Sequence, residues 1–316
     1  MLALQQAYEL KIALLDYLKA TFTFQDKKVE RSFLKLITDE REGMLRGPYL
    51  SLRLPFVKAG SGEPVPLEIQ PTFTPYYHQA ETFRRLSTQD GHTPQPTILT
   101  TGTSSGKTES FLYPLLDYCY RHRLRRGIKA IILYPMNALA TDQAQRIAAA
   151  IHADDRLRGQ VTAGLFIGEG QHRRSFPQTM GERNIIEHRD TIVANPPDIL
   201  LTNFKMLDYA LMQAKYHHLW YHNLQDPGQL RFLVLDELHT YDGAQGTDVA
   251  NLIRRVILKL GIPPGHICPV GTSATIGSGA EAPRLLAEYA ARVFGETFDE
   301  TCIVGECRVS PDDFFA

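Results

Sequence analysis

Along the first twenty residues the apolar positions Leu4, Tyr8, Ile12 and Leu15 recur at helical spacing, with Gln5, Gln6, Glu9, Lys11 and Asp16 between them. This predicts an amphipathic helix and not a signal peptide. The stretch GPYLSLRLPFVKAGSGEPVPLEIQPTFTPYYHQ is rich in Pro and Gly and holds no sustained period, so it reads as a wrapped linker. From about Pro71 the pattern changes. Short apolar runs (TILTT, KAIILYP, VTAGLFIG, DILLTN, RFLVLDE, ICPVGTSA) alternate with helical patterns starting at Gly106, Asn137, Phe204 and about Gln245, and one more runs from Pro283 to Phe294.

Repeated β-α-β-α order predicts an α/β fold, a single parallel sheet with helices on both faces, preceded by a small helical N-terminal extension. The expected organisation is an extension and linker over 1–70, a sheet-bearing lobe over 71–300 and a closing tail over 301–316. The segment from Gln171 to Arg189 and the neighbouring HRDTIVANPPD read as a long charged loop. In open parallel sheets ligands bind outside the carboxyl ends of the strands. Thr101, Pro135, Asn203, Asp236 and Ser273 each end a different predicted strand, so five distant stretches should converge on one edge.

Composition adds little. The chain of 316 residues is 43% hydrophobic, enough for a full core, and 34 basic against 35 acidic residues create no global positive field. Any nucleic-acid contact must therefore rest on a local groove. No apolar run approaches the roughly 20 residues of a membrane span. The four cysteines, Cys119, Cys268, Cys302 and Cys307, form no Cys-x-x-Cys pair, which suits free thiols in a reducing cytoplasm. Cys302 and Cys307 could form half a zinc site, but no second Cys or His pair follows them.

The candidate chemistry begins at TTGTSSGKTES. A phosphate loop needs inward N–H groups, small residues, a Lys for the β and γ phosphates and a hydroxyl for Mg²⁺. Gly102, Thr103, Ser104, Ser105, Gly106, Lys107, Thr108 and the following Glu109 supply such a cradle, although Thr101 stands where the strict pattern has its first Gly. RFLVLDELH then offers Asp236 for Mg²⁺ and Glu237 to orient and deprotonate an attacking water. A Gly/Ser-rich helix cap is the bland alternative for the loop, and a surface position is the bland alternative for Gln79.

In order and spacing, TGTSSGKTES, YPMNALATDQ, ILLTNFKMLD, DELHTYDGAQGTDVANLIRR and GTSAT resemble motifs I, Ia, Ib, II and III of superfamily 2 DExH helicases. The wording after the acidic pair, and RGPYLSLRLPF before the lobe, look most like the mitomycin-repair helicases and the related large helicases of anti-phage defence islands. The resemblance covers about Gly47 to Ile276 and implies a RecA-like lobe that uses ATP and Mg²⁺. It assigns Lys107 and Thr108 to phosphate and Mg²⁺, and Asp236 and Glu237 to Mg²⁺ and water activation. It gives the adenine edge to Gln79, and the coupling of nucleotide state to strand grip to His239, Ser273 and Thr275. Pro135, Asn137, Leu139, Thr202 and Asn203 match loops that grip the phosphates of one strand.

The implied partners are single-stranded or partly duplex DNA, with RNA possible, and a second RecA-like lobe bearing an arginine finger, in cis or in trans. Nothing after TSAT resembles that lobe, so the expectation is an N-terminal fragment or split subunit of a DNA helicase or translocase. The competing expectation is a stand-alone nucleotide-binding regulatory module. Arg254 and Arg255 lie opposite the Val249, Leu252, Ile253, Val256 stripe and read as a solvated or partner-facing surface.

Overall fold

The structure, a computed structural model, describes residues 2–39, 41–47, 53–60, 65–102, 105–168, 175–274 and 281–315. The chain forms two compact units, Met1–Leu54 and Pro55–Ala316. The first carries α1 (Leu2–Thr21) and α2 (Lys27–Thr38). The Asp26 carboxylate accepts the Lys28 N–H at 2.7 Å and starts α2, because the first amides of a helix have no partner inside it. Phe33 of α2 packs on Phe22 and Phe24. The helical spacing of α1 is borne out, yet Leu4, Tyr8 and Ile12 remain exposed.

The second unit is built on seven parallel strands: β1 (Thr97–Thr100), β2 (Ala130–Leu133), β3 (Ala163–Phe166), β4 (Ile199–Thr202), β5 (Phe232–Leu235), β6 (Cys268–Ser273) and β7 (Ile303–Gly305). Their order is β3-β4-β2-β5-β6-β1-β7. Six of them are four- to six-residue runs in which every residue is buried, the signature of a parallel sheet covered by helices. The helices of this unit are α3 (Tyr77–Leu86), α4 (Lys107–Arg121), α5 (Asn137–Ala153), α6 (Arg189–Ala194), α7 (Phe204–Met212), α8 (Tyr221–Gln225), α9 (Gly243–Leu260), α10 (Ala282–Phe294) and α11 (Pro311–Phe315). One core cluster joins α4 and α5 to the sheet through Phe111, Leu115 and Ile147. The other joins α7, α9 and α10 through Leu207, Val249 and Phe294.

Register decides where chemistry can sit. Thr100 pairs with Ser273, and Leu133 pairs with both Thr202 and Leu235, so these strands end on one line. α4 and α5, which follow β1 and β2, pack in one core cluster, whereas α9 and α10, which follow the intervening β5 and β6, pack in the other, so the strand-end loops part where β5 and β6 meet their neighbours and leave a crevice there. The expected convergence on one edge is therefore found.

Three expectations change. The second unit begins at Pro55 and not near Pro71, because the linker is stitched to the sheet edge. Val57 N–H donates to the Cys307 carbonyl at 2.9 Å, Tyr77 N–H donates to the Val57 carbonyl at 2.9 Å, and the buried Asp117 carboxylate accepts the N–H groups of Glu68 and Ile69 at 2.6 and 3.0 Å. The tail over 301–316 supplies β7, which pairs with β1, so it belongs to the sheet. The charged loop is interrupted where Ile186 bridges Gly164 and where α6 begins at Arg189; residues 171–174 lie outside the described residues. Among the described residues no helix is long and apolar enough to cross a membrane. Cys119, Cys268 and Cys302 are buried free thiols and Cys307 is an exposed one.

Candidate functional site

The loop after β1 enters α4 through Gly106, whose φ of 78° is left-handed. A Cβ there would also lie 2.3 Å from Gln79 Nε2 and would push that amide off the loop, so the backbone favours glycine and the contact with Gln79 depends on it. At Thr101 the side chain replaces the missing glycine with a function of its own: its hydroxyl bonds Ser105 Oγ at 2.6 Å across the base of the loop. Thr101 is absent from the positive-φ residues, so a β-branched side chain costs nothing there. Thr103 and Ser104 lie outside the described residues.

From the start of α3, two neighbours hold two successive loop carbonyls. His78 Nε2 donates to Ser105 O at 2.9 Å, and Gln79 Nε2 donates to Gly106 O at 3.1 Å while its Oε1 accepts Tyr76 N–H at 2.8 Å. The Ser105 carbonyl can only accept, so Nε2 carries a proton, and burial pushes the His78 pKa down from its ordinary value. Gln79, expected at an adenine edge, is 2% exposed and clamps the loop in this state. On the other side Gly102 N–H donates to Glu306 Oε2 at 2.8 Å, from the segment after β7.

Lys107 projects from the first turn of α4 into the crevice, where its ammonium makes no hydrogen bond among the described residues and lies 3.6 Å from Glu237 Oε1. A buried ammonium with unused donors fits a polyphosphate. Asp236, at the end of β5, accepts the Thr272 hydroxyl at 2.5 Å. The same Thr272 oxygen accepts the Glu237 N–H at 3.0 Å, so one β6 hydroxyl organises both acids. Burial pushes the Asp236 carboxyl above the ordinary carboxylate range, against the Thr272 hydrogen bond that pulls it down. Glu237 itself is left-handed (φ 51°, ψ 52°), a conformation that costs a non-glycine residue about 1 kcal/mol and gathers at functional sites. Its Oε2 lies 3.4 Å from His239 Nδ1, which in turn meets Ser273 Oγ at 3.2 Å. The expected coupling pair is thus in contact; Thr275 lies outside the described residues.

The strand-gripping candidates divide. Asn203 Oδ1 caps α7 by accepting Met206 N–H at 2.8 Å, and its Nδ2 donates to Asn137 Oδ1 at 2.7 Å. With Pro135 they line an open cavity of about 1140 Å³. Thr202 is a correction: it is fully buried, its hydroxyl donates to Phe166 O at 2.5 Å, and it fastens β4 to β3. Leu139 packs its side chain against the core under α5, which leaves only its backbone for the expected phosphate contact.

The same cavity holds residues that the sequence reading missed: Arg189, Lys205, Tyr209 and Lys215. Lys215 lies 5.2 and 5.0 Å from the Tyr209 and Tyr216 ring centres, and hydrogen bonding to Tyr209 and then Tyr216 raises its pKa above the ordinary lysine value. The only signal in the sequence was the run of Lys and Tyr after LTNF. Arg254 and Arg255, read as a solvated or partner-facing surface, join helices. Arg254 donates to Arg292 O of α10 at 3.1 Å, and Arg255 pairs with Asp208 of α7 at 2.6 Å.

Comparisons with known proteins bear on the fold and the family. The chain is 26% identical to the Druantia protein DruE of Escherichia coli (strain UMEA 4076-1), over 65% of this chain and 16% of that protein. It is 31% identical to YprA, an uncharacterized ATP-dependent helicase of Bacillus subtilis (strain 168), over 65% of this chain and 23% of the relative. The chain thus spans less than a quarter of the length of these two relatives. The crystal structure of the DUF1998 helicase MrfA bound to DNA superimposes with a TM-score of 0.53 at 25% identity, covering 73% of this chain and 27% of that one. The family described as DEAD/DEAH box helicase matches residues 76–282, which takes in every site residue above except Glu306. With the phosphate loop, the acidic pair and the strand-end amides inside that match, the chain belongs to the DEAD/DEAH box helicase family.

Proposed function

We propose that this chain is the ATP-binding lobe of a DNA helicase or translocase, coupling ATP hydrolysis to movement along one strand. The observation that carries the reading is the placement of Lys107 and Glu237 in one crevice, with the Asn137–Asn203 pair on the same sheet edge. Lys107 would neutralise the β and γ phosphates, and the N–H groups of the loop would face their oxygens. Thr108 and Asp236 fit Mg²⁺, a hard cation that takes oxygen ligands and that, when bound, neutralises charge developing on the phosphates. Glu237 would accept the proton of the attacking water once phosphate draws Lys107 away from it. His239 and Ser273 would report that change to the strand side. Pro135, Asn137 and Asn203, with Lys205 and Lys215, would hold the strand by its phosphates, which needs no base reading.

A second RecA-like lobe, in the same or another chain, would close the crevice and supply an arginine; such a group contributes about 10³ to 10⁵ in turnover. The greater length of the relatives supports this, as does the DNA in the MrfA complex for the choice of polymer. The free thiols suit a cytoplasmic setting. The test uses the chain itself, with a fluorescent ATP analogue and a labelled single-stranded oligonucleotide. Nucleotide should bind, and DNA should bind weakly, lose affinity as salt rises and ignore base sequence. Nucleotide binding with no DNA binding at low salt would favour a regulatory module.

A further inference from the structure

Thr108 is the second residue of α4 and is nearly buried, and its hydroxyl donates to Gln143 Oε1 of α5 at 3.0 Å. A hydroxyl carries one proton and two acceptor lone pairs. With the proton committed to Gln143, both lone pairs are free for a cation, which needs an oxygen donor and is repelled by O–H. The orientation of the Gln143 amide is set by its neighbours, since Arg146 Nη1 also approaches Oε1 at 3.5 Å. Arg146 is anchored in turn by Glu109, the residue after Thr108, through an Nη2–Oε1 pair at 2.8 Å. Two side chains one turn apart on α5 therefore grip two successive residues at the start of α4. The same α5 begins with Asn137, whose side chain is bonded to Asn203 in the cavity.

We propose that Gln143 is a positioning residue for the cation ligand Thr108. The proposal rests on the reading that Thr108 holds a divalent cation beside nucleotide. Partners that orient metal ligands are worth about 10- to 100-fold in metal affinity. Gln143 therefore contributes to the effect of magnesium on nucleotide binding and not to nucleotide binding as such. A mere helix-to-helix staple would move both together, or neither.

The experiment measures Kd of a fluorescent ATP analogue for the chain, once with Mg²⁺ and once with EDTA, in the wild type and in Gln143→Leu, Gln143→Glu and Thr108→Val. Gln143→Leu is expected to leave the EDTA value within about twofold and to reduce the tightening by Mg²⁺ about tenfold. Gln143→Glu should retain the tightening, because a carboxylate oxygen accepts the Thr108 proton and the Arg146 guanidinium alike. If Leu disturbs packing, the EDTA value exposes it, and Gln143→Ala carries the same expectation. An unchanged Mg²⁺ effect in Gln143→Leu, with the effect lost in Thr108→Val, would overturn the role of Gln143 and leave the proposed function standing. An unchanged effect in Thr108→Val, or no nucleotide binding by the wild type, would overturn the underlying reading and the proposal with it.

Discussion

The proposed nucleotide crevice and the proposed strand groove share one sheet edge, yet they are built in opposite ways. In the crevice Thr101, Ser105, Asp236 and Thr272 are all at most 8% exposed, and each is bonded to another member of the set. In the groove Lys205, Tyr209 and Lys215 are exposed, and the cations lean on aromatic rings. Groups that must meet developing charge at a fixed point gain from burial and preorganisation, where the local dielectric is low and no reorganisation is needed. Groups that follow a moving polymer gain from hydration and spare rotamers, since a charge held in water releases its phosphate easily. Substitutions in the crevice should therefore change function by orders of magnitude, and those in the groove by small factors.

The strongest test of that contrast is Glu237→Gln in a protein containing both lobes. The amide keeps the shape of the acid but cannot take a proton, so turnover should fall about 10²- to 10⁴-fold while nucleotide still binds. Measuring Kd and steady-state phosphate release side by side separates the two, and equal loss of both would make the acid a structural one. Next in size, Lys107→Ala removes the ammonium that faces Glu237 and makes no hydrogen bond among the described residues. ATP binding by the chain should weaken about 100-fold, the usual cost of removing one partner from a buried charge pair. Binding as tight as wild type would reduce the loop to a helix cap.

On the groove side, Lys215→Gln should weaken single-stranded DNA binding several-fold, equally for all sequences, and leave the ATP Kd unchanged. Anisotropy titrations across a salt series should show the slope of log K against log salt reduced by about 0.7, the value of one single-strand phosphate. A loss confined to particular sequences would turn the groove into a base-reading site.

The smallest expected effect concerns stability and pH. Burial raises the Asp236 pKa in the fold above its unfolded value, so between the two the native state binds more protons than the unfolded state. Stability then falls as pH rises through that window, and the ionised acid is a cost at neutral pH. Asp236→Asn keeps an oxygen for the Thr272 hydroxyl and removes that cost, so Tm at pH 7 should rise by about 2–4 °C. The gain should shrink below the ordinary Asp range, where both states are protonated. A Tm that falls at pH 7 would show that the charge is compensated in the native crevice.

Much of the crevice was legible because its pieces are contiguous. A strand, a glycine-containing turn and a helix start within one decapeptide suffice to set Lys107, and an unbroken apolar strand ending in Asp-Glu sets the acids. Alternation of buried runs with helical periods likewise determined the parallel sheet, since only strands covered on both faces can be apolar throughout. What the sequence could not carry was the direction of side chains at strand ends and the pairing of distant ones. Thr202 and Thr272 are both threonines near a strand end, yet register turns the first into the sheet and the second toward Asp236. Gln79 was visible as a candidate, but its grip on Gly106 depends on α3 lying against α4. The tail became β7 only because β1 offered it an open edge. Lys215 reached the cavity through the fold of the segment after α7, and Gln143 reached Thr108 through the packing of α5. Periodicity, turns and catalytic types are properties of neighbours along the chain, whereas which hydroxyl faces which acid is settled by register and helix packing between residues far apart in sequence.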